Sequence, residues 1–375
     1  MTRTLNLFSA ICFFLVPAVA GGAAYQWQIP SWMVPPPDAV TATMSDSRVA
    51  LGRALFYDTR LSIDGTMSCA SCHRQDKAFT DGEVTHRGVH GDVGLRNAPS
   101  VVNLAYMPVL SWANPNLKSV EVQVLIPLFG NAPVEMGMTG KEKALFAKLN
   151  RDCSMRERLR AAFPGKTGFD MEALTGGLAS FVRSIVSFSS SYDRYKRLGD
   201  ADAISPSAKH GEELFFGEKM ECSHCHSGPT FSDNFQSRAL PFPGISFHNT
   251  GLYNEDGLGA YPSNNHGVRD ITGRPPDEGK FRTPSLRNVA LTAPYMHDGS
   301  VATLPAVIRD HYAKGGRAAT GPNGRSPLRD PLITGFSATD EDTRDLVAFL
   351  ESLTDDNLLT NPAYSAPAHS PRCTH

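Results

Sequence analysis

The sequence predicts an all-α protein that consists of two similar domains in tandem, with long loops between the helices. The segments Gly52-Arg-Ala-Leu55-Phe56 and Gly211-Glu-Glu-Leu214-Phe215 repeat one pattern, and they lie too far apart for a solenoid repeat. Apolar residues recur at helical spacing between Leu174 and Ile185. The chain between Phe231 and Phe281 is rich in Gly, Pro and Asn, which indicates long loops.

Composition and charge exclude several classes of protein. The 375 residues are 41% apolar and 20% charged, which is ordinary for a globular protein and excludes a fibrous or wholly disordered chain. The 36 Lys and Arg residues nearly balance the 38 Asp and Glu residues, and there is no basic run, so we expect no nucleic-acid partner. We also expect no membrane span after the first 25 residues, because no apolar run there is long enough.

The N-terminus has the pattern of a secretory signal peptide over residues 1–20. Arg3 precedes an apolar stretch from Leu5 to Val19, and the small residues up to Ala20 form a suitable cleavage site. An uncleaved N-terminal anchor is the alternative. Cleavage predicts an exported protein, which we place in a bacterial periplasm. Residues 21–45 would then be a proline-rich, extended lead-in.

Four of the seven cysteines form the pentapeptides Cys69-Ala-Ser-Cys72-His73 and Cys222-Ser-His-Cys225-His226. Cys-x-x-Cys-His is the signature of c-type haem attachment, in which the thiols add to the two vinyl groups of the porphyrin and the histidine binds the iron. A zinc site also uses paired cysteines, but it does not explain why a histidine follows each pair. The sequence therefore predicts two covalently bound haem c groups.

Three cysteines lie outside these motifs. Cys12 belongs to the expected signal peptide, and Cys153 and Cys373 are far apart in the chain. In an oxidising compartment the last two can form a disulfide or remain free, and both alternatives stay open.

The internal repeat continues beyond the haem motifs and places the domain boundaries. Phe79-Thr80-Asp81 follows the first motif as Phe231-Ser232-Asp233 follows the second. The predicted bounds are 46–195 for the N-terminal domain, 196–355 for the C-terminal domain and 356–375 for a flexible tail. We expect the last helix to begin after Thr339, a residue that caps helix N-termini, and to carry an apolar face up to Leu353.

The two haem motifs and the segment from Phe281 to Gly299, FRTPSLRNVALTAPYMHDG, resemble the bacterial dihaem cytochrome c peroxidase and MauG superfamily. The resemblance extends over residues 46–355. Within it, the segments Trp112–Leu117 and Pro127–Gly137 are most similar to the dihaem enzymes of methanobactin operons (MbnH). The resemblance implies two cytochrome c-like domains, an N-terminal haem that reacts with peroxide and a six-coordinate C-terminal haem.

The resemblance also implies roles for residues around the N-terminal haem. His73 would be the proximal ligand, and Gln123, Pro127 and Glu135 would lie in the distal pocket. We expect Glu135 to carry a proton from the inner to the outer peroxide oxygen, and Gln123 to orient the peroxide; a surface position for Glu135 is the alternative. Trp112 would relay electrons between the haems, with a packed core indole as the alternative.

The ligands of the C-terminal haem bear on the reaction. His226 would be the proximal ligand. The peroxidases place a methionine opposite it, whereas no methionine follows Met296 in this chain. Tyr312, the residue type that MauG uses, is preferred to His311, and Met296 is a weaker third candidate. A phenolate or an imidazole stabilises higher oxidation states of iron better than a thioether does.

Two further expectations come from the resemblance. Asn97, Thr292 and Pro294 match a calcium site of the family, in which the last two would bind through backbone carbonyls. His90 lies near the place where the peroxidases carry a histidine that caps the reactive haem until the second haem is reduced. An ordinary exposed loop histidine is the alternative.

The preferred interpretation is a periplasmic dihaem oxidase that uses H₂O₂ to reach a high-valent, bis-Fe(IV)-like state and oxidises a partner protein at tryptophan. The first alternative is a dihaem cytochrome c peroxidase that reduces H₂O₂ to water with electrons from a small cytochrome c or cupredoxin. A dihaem electron carrier without catalysis is the second alternative.

Overall fold

The structure, a computed structural model, describes residues 25–368. Within this range the chain is helical, with isolated β-bridges but no strand, which confirms the all-α prediction. The expected signal peptide and Cys373 lie outside the described residues. No helix between residues 25 and 368 is long and apolar enough to cross a membrane.

Short and medium-length helices occur in both halves of the chain. Those of the first half are α1 (Asp38–Thr41), α2 (Asp46–Phe56), α3 (Cys69–Cys72), α4 (Val120–Gln123), α5 (Leu125–Phe129), α6 (Glu142–Arg151), α7 (Cys153–Ala162), α8 (Met171–Ser184) and α9 (Ser191–Leu198). Those of the second half are α10 (Pro206–Phe216), α11 (Arg269–Thr272), α12 (Leu304–Ala306), α13 (Asp340–Ser352) and α14 (Asp356–Thr360). The chain between α10 and α11 is largely irregular, as its Gly, Pro and Asn content predicts.

The two helices expected from periodicity and capping are present. α8 begins after Asp170, whose side chain accepts a hydrogen bond from the Ala173 N–H, and its predicted apolar face is buried. α13 begins after Thr339, which forms a capping box with Asp342. Both helices therefore start where a side-chain oxygen satisfies the first free backbone N–H groups.

Two helix pairs pack in the same way. α2 packs against α8, and α10 packs against α13. A Cβ added at Gly52 would lie 1.8 Å from the carbonyl oxygen of Gly177, and one added at Gly211 would lie 2.0 Å from that of Asp345. The repeated glycine of the sequence is thus the point where each pair of helix backbones comes closest, and a larger residue would push the helices apart.

Each helix pair contributes to its own apolar core. Leu51, Leu55 and Phe181 lie in the first core, and Phe215 and Phe349 lie in the second. Because the faces of α2 and α10 that contact these cores are buried, each repeated glycine is followed one helical turn later by an apolar Leu-Phe pair.

The residues after α13 differ from the flexible tail that the sequence predicts. Leu358 and Tyr364 are buried in the first core. The Tyr57 hydroxyl donates a hydrogen bond of 2.6 Å to the Tyr364 carbonyl oxygen, and the Arg53 guanidinium donates one of 2.6 Å to that of Ser365. Two apolar side chains are enough to anchor a segment whose composition otherwise resembles a linker.

The described part of the lead-in is also packed onto the protein. Trp32 lies edge-on to Phe188 with ring centroids 5.9 Å apart, and the Trp27 indole donates a hydrogen bond to the Thr41 hydroxyl. Cys153 is disulfide-bonded; Cys373, with which the sequence allows it to pair, lies outside the described residues.

Replacing Gly52 by alanine should destabilise the protein, because the new Cβ would meet the Gly177 carbonyl oxygen and force α2 away from α8. Overpacking of this kind costs about 1–3 kcal/mol. The measurement is the midpoint of thermal unfolding of the purified protein. Gly244→Ala is the matched control, since a Cβ there meets nothing within 4 Å. Equal losses in the two variants would contradict the close contact.

Candidate functional site

The first Cys-x-x-Cys-His motif forms a short helix and ends in a histidine that the backbone orients. α3 contains both cysteines, and Ser68 and Ser71 form a capping box at its start. His73 Nδ1 lies 3.0 Å from the carbonyl oxygen of Phe79. Since a carbonyl only accepts, Nδ1 carries the proton and the lone pair of the ring is on Nε2.

The second motif repeats this arrangement. His226 Nδ1 lies 3.0 Å from the carbonyl oxygen of Phe231. Phe79 and Phe231 both have left-handed backbone conformations, with φ of 61° and 52°, which turn their carbonyls toward the histidines. Burial lowers the pKa of both histidines. Each motif therefore offers two thiols and a neutral imidazole with its lone pair on Nε2, a donor set that fits c-type haem.

A cavity of about 330 Å³ lies beside the second motif. Cys222, Cys225 and His226 form part of its wall. Further lining residues that the sequence analysis singled out are Asn97, Trp112, Thr292, Pro294, Met296 and Tyr312. The fold thus brings the residues assigned to the second haem, to the relay and to calcium around one cavity.

The two residues preferred as sixth ligand have different surroundings. Tyr312 directly follows a short π-helix (Val307–His311) and lines the cavity. Burial raises the pKa of its phenol. His311 is fully buried outside the cavity wall, and its Nδ1 accepts a hydrogen bond of 2.9 Å from the Arg317 N–H. The Nε2 of His311 must then carry the proton, so the ring offers no lone pair to a metal.

Glu135 lies beside an unforeseen histidine. His86 Nε2 is 3.4 Å from Glu135 Oε1, and the carboxylate raises the pKa of His86. Glu135 also interacts electrostatically with the first motif: burial, then Asp81, then Glu135 raise the pKa of the unmodified Cys72 thiol. Glu135 and His86 thus form a carboxylate–imidazole pair that interacts electrostatically with the first motif.

No sequence pattern identifies His86, because its partner Glu135 lies far from it in the sequence. A Cβ at Gly94 would lie 2.4 Å from the His86 ring, so the glycine makes room for the imidazole. His90, the histidine considered from the sequence, is exposed.

Gln123 and Pro127 lie on neighbouring short helices next to the Glu135 loop. The Pro127 carbonyl accepts a hydrogen bond of 2.9 Å from the Met136 N–H. Gln123 ends α4, and its Oε1 is buried without a hydrogen-bond partner. A buried amide oxygen without a protein partner is costly unless a ligand or a water satisfies it.

Trp112 packs against a group of apolar, mainly aromatic residues that we call the Trp112 cluster. The cluster contains Trp112, Ala113, Leu252, Tyr253, Tyr261, Phe281 and Met296. The indole N–H donates a hydrogen bond of 2.9 Å to the Asn97 carbonyl oxygen, and the Arg282 guanidinium lies 5.8 Å from the ring centroid. Met296, the third ligand candidate, therefore packs on the Trp112 side of the cavity.

The residues expected to bind calcium offer oxygen atoms around the same cavity. The Asn97 amide donates from Nδ2 to the Glu83 carbonyl at 2.8 Å, which leaves Oδ1 as its acceptor end. The Thr292 hydroxyl donates a hydrogen bond to the Val289 carbonyl, so the backbone carbonyl oxygen of Thr292 is the atom that it offers to a cation. No cluster of three His, Cys, Asp or Glu side chains that could hold a metal occurs between residues 25 and 368.

An imidazole bridged by two carboxylates lies on the wall of the cavity. His248 Nε2 is 2.7 Å from Asp233 Oδ2, and its Nδ1 is 2.7 Å from Asp330 Oδ2. The hydrogen bond with Asp233, together with that of Asp330, raises the pKa of His248. Asp233 belongs to the repeated Phe-Ser-Asp segment, so this ion pair connects the second haem motif to the loop around Asp330.

The contribution of His248 to stability should depend on pH. Because its folded pKa is raised above the ordinary value of 6.5, the stabilisation is complete below about pH 6.5 and is lost as the pH rises through the raised pKa. His248→Gln should therefore lower the melting temperature most at pH 6, with a difference from the wild type that shrinks at pH 10. His90→Gln, at an exposed position, is the control. A pH-independent difference would show that His248 is not held as a cation.

The chain is similar to known proteins over most of its length. A family model described as "Di-haem cytochrome c peroxidase" matches residues 46–202. The methylamine utilization protein MauG of Methylorubrum extorquens is 36% identical, and the alignment covers 85% of this chain and 81% of that protein. The cytochrome-c peroxidase IdrP1 of Denitromonas iodatirespirans is 35% identical, with 94% and 93% covered.

One solved structure is similar throughout. A MauG-like protein associated with microbial copper homeostasis superposes with a TM-score of 0.87 at 45% identity, and the match covers 92% of this chain and 99% of that one. Together with the two Cys-x-x-Cys-His motifs, these similarities show that the chain belongs to the di-haem cytochrome c peroxidase and MauG family of oxidoreductases and carries two haem c groups.

Proposed function

We propose that the protein is a periplasmic oxidase with two tandem cytochrome c-like domains, which uses H₂O₂ to oxidise a partner protein at tryptophan. The observation that carries the proposal is the position of Tyr312 on the cavity wall beside the second haem motif. A tyrosine ligand disfavours the ferrous state that a simple electron-accepting haem needs, whereas methionine favours it. We infer that Tyr312, rather than His311 or Met296, is the ligand opposite His226.

The proposed acid and base of the reaction come from this chain. When bound, the haems supply a peroxide-reactive iron at His73 and a store of oxidising equivalents at His226. Glu135 accepts a proton from the inner oxygen of H₂O₂ and delivers it to the outer oxygen, so that water can leave. His86, 3.4 Å away, orients the carboxylate, and Gln123 hydrogen bonds to the bound peroxide.

The remaining predicted residues connect the two sites. We propose that Trp112 relays electrons between them, since its indole is easily oxidised and contacts the cavity. Pro127 shapes the distal side through its hydrogen bond with Met136. Asn97, Thr292 and Pro294 bind a Ca²⁺ ion through oxygen atoms, which holds the segments on either side of the cavity together.

The partner is proposed to be an exported protein. One similar structure belongs to a MauG-like protein associated with microbial copper homeostasis, and by that similarity we infer a partner with a role in copper handling. The test begins with the diferric protein and H₂O₂, without prior reduction. The substrate to test is an exported, tryptophan-containing protein whose gene neighbours this one, and mass spectrometry should then detect oxygen added at one of its tryptophans.

A cytochrome c peroxidase is the second candidate, because peroxidases such as IdrP1 are as similar to this chain as MauG is. The same experiment distinguishes the two functions. A peroxidase would oxidise a reduced small cytochrome c or cupredoxin and would leave the tryptophans of the exported protein used in the test unmodified.

Glu135→Gln should slow the reaction with H₂O₂ by roughly 10²–10⁴-fold, because it keeps the size of the side chain but removes the base. Rapid mixing with H₂O₂ measures the rate, and the pyridine haemochrome assay checks that two haems remain. Glu83→Gln is the control, since Glu83 is an exposed residue with the same carboxylate side chain. An unchanged rate in Glu135→Gln would mean that another group moves the proton.

Tyr312→Phe should open the second haem iron, whereas His311→Ala should not, because His311 lies outside the cavity wall and bonds to Arg317. Absorption and EPR spectra report the change as a second high-spin ferric signal. If only His311→Ala produced that signal, the assignment of Tyr312 would be wrong.

A further inference from the structure

Tyr253 is one of the partly buried residues of the Trp112 cluster. Its ring is half-buried, and beyond the buried Asn254 the chain is exposed, with Leu258 73% exposed. Tyr253 therefore has one side in contact with the aromatic residues around Trp112 and the other side close to the protein surface.

The phenol of Tyr253 is paired with a base. Its hydroxyl donates a short hydrogen bond to Oδ2 of Asp298. The other carboxylate oxygen, Oδ1, accepts a hydrogen bond of 3.0 Å from the Ser300 N–H, which fixes the carboxylate in place. A phenol that loses an electron becomes a strong acid, so a carboxylate already on its hydroxyl allows electron and proton to leave together.

A second tyrosine of the cluster lacks such a base. The ring centroids of Tyr261 and Tyr253 are 5.4 Å apart, and Tyr261 lies 5.9 Å from Phe281. The Tyr261 hydroxyl donates a hydrogen bond of 3.0 Å to the Asn249 amide oxygen. An amide does not take up a proton at neutral pH. Of these two neighbouring phenols, only Tyr253 is arranged for oxidation with proton loss.

A nearby cation also favours oxidation of Tyr253 with loss of its proton. The Arg317 guanidinium lies 4.9 Å from the centre of the Tyr253 ring and donates a hydrogen bond of 2.8 Å to the Ser300 hydroxyl. A positive charge over the ring opposes the loss of an electron alone, because the product would be a second cation next to the first. Loss of the proton to Asp298 removes that penalty, since the oxidised ring is then neutral.

We propose that Tyr253 is a redox-active residue that passes oxidising equivalents from Trp112 to an electron donor at the protein surface. The proposal rests on the proposed function, in which H₂O₂ is the oxidant that removes one electron from Trp112. In the step, Tyr253 gives one electron to the Trp112 radical cation and its phenolic proton to Asp298. The products are neutral Trp112, a neutral tyrosyl radical and a protonated Asp298. An external donor then returns one electron, and the proton returns from Asp298.

The experiment uses the diferric holoprotein, mixed with equimolar H₂O₂ without any donor, frozen rapidly and measured by EPR. The wild type should give a radical signal that narrows when the protein contains ring-deuterated tyrosine. Tyr253→Phe should lose that signal, because the ring remains but the phenol does not. Tyr261→Phe is the matched control and should keep it. Trapping with a nitroso compound, followed by peptide mass spectrometry, should locate the adduct on Tyr253.

A third variant tests the base. Asp298→Asn retains a hydrogen-bond acceptor but cannot take up the proton, so the tyrosyl radical should form roughly 10²–10⁴-fold more slowly. A purely structural role for Asp298 would leave this rate unchanged in a variant that holds two haems.

The outcomes separate this proposal from the proposed function. A tyrosyl signal that survives in Tyr253→Phe, or an equal loss in Tyr261→Phe, overturns the proposal. No tyrosyl signal in the wild type overturns it as well. Consumption of H₂O₂ in the same samples then shows whether the proposed function fails with it: peroxide that is consumed without a tyrosyl radical leaves that function standing.

Discussion

The hydrogen bond from the histidine of each Cys-x-x-Cys-His motif to a phenylalanine carbonyl is the contact on which the rest of the structure depends. It fixes the tautomer that presents Nε2 to a metal. It also demands a left-handed backbone at Phe79 and Phe231, which costs about 1–2 kcal/mol for a residue other than glycine. The rings of both phenylalanines are buried in the two cores. One residue in each half therefore links the packing of the core to the orientation of the ligand.

The features of the fold that the sequence predicts are those with a local cause. The capped starts of α8 and α13 depend on one side chain and its next three residues, so they can be recognised from the sequence. The repeated glycines are visible as a pattern, but their reason lies in a second helix more than a hundred positions away along the chain. The packing of Leu358 and Tyr364 has no local signal, because a few apolar residues in a polar segment are common in loops.

The residues of the candidate site also divide into those that the sequence predicts and those that only the folded structure reveals. The haem attachment residues follow from spacing alone, and Trp112, Glu135 and Tyr312 required the resemblance to a family. His86 and Tyr253 were found by neither route, because their significance lies in a partner, Glu135 in one case and Asp298 in the other. A single histidine or tyrosine in a loop has no pattern of its own, and a hydrogen bond to a distant carboxylate appears only when the chain is folded.

The packed C-terminal segment has a consequence for how the chain assembles. Leu358 and Tyr364 complete a core whose other buried members come from the first half of the chain. During synthesis the first half therefore emerges long before the residues that close its core. Contacts between such distant parts of a chain form slowly, because the intervening loop must first be ordered. The first half must therefore remain soluble before its core is complete. A truncation that removes Leu358 and Tyr364 would destabilise this core, although most of its residues lie far from the C-terminus in the sequence.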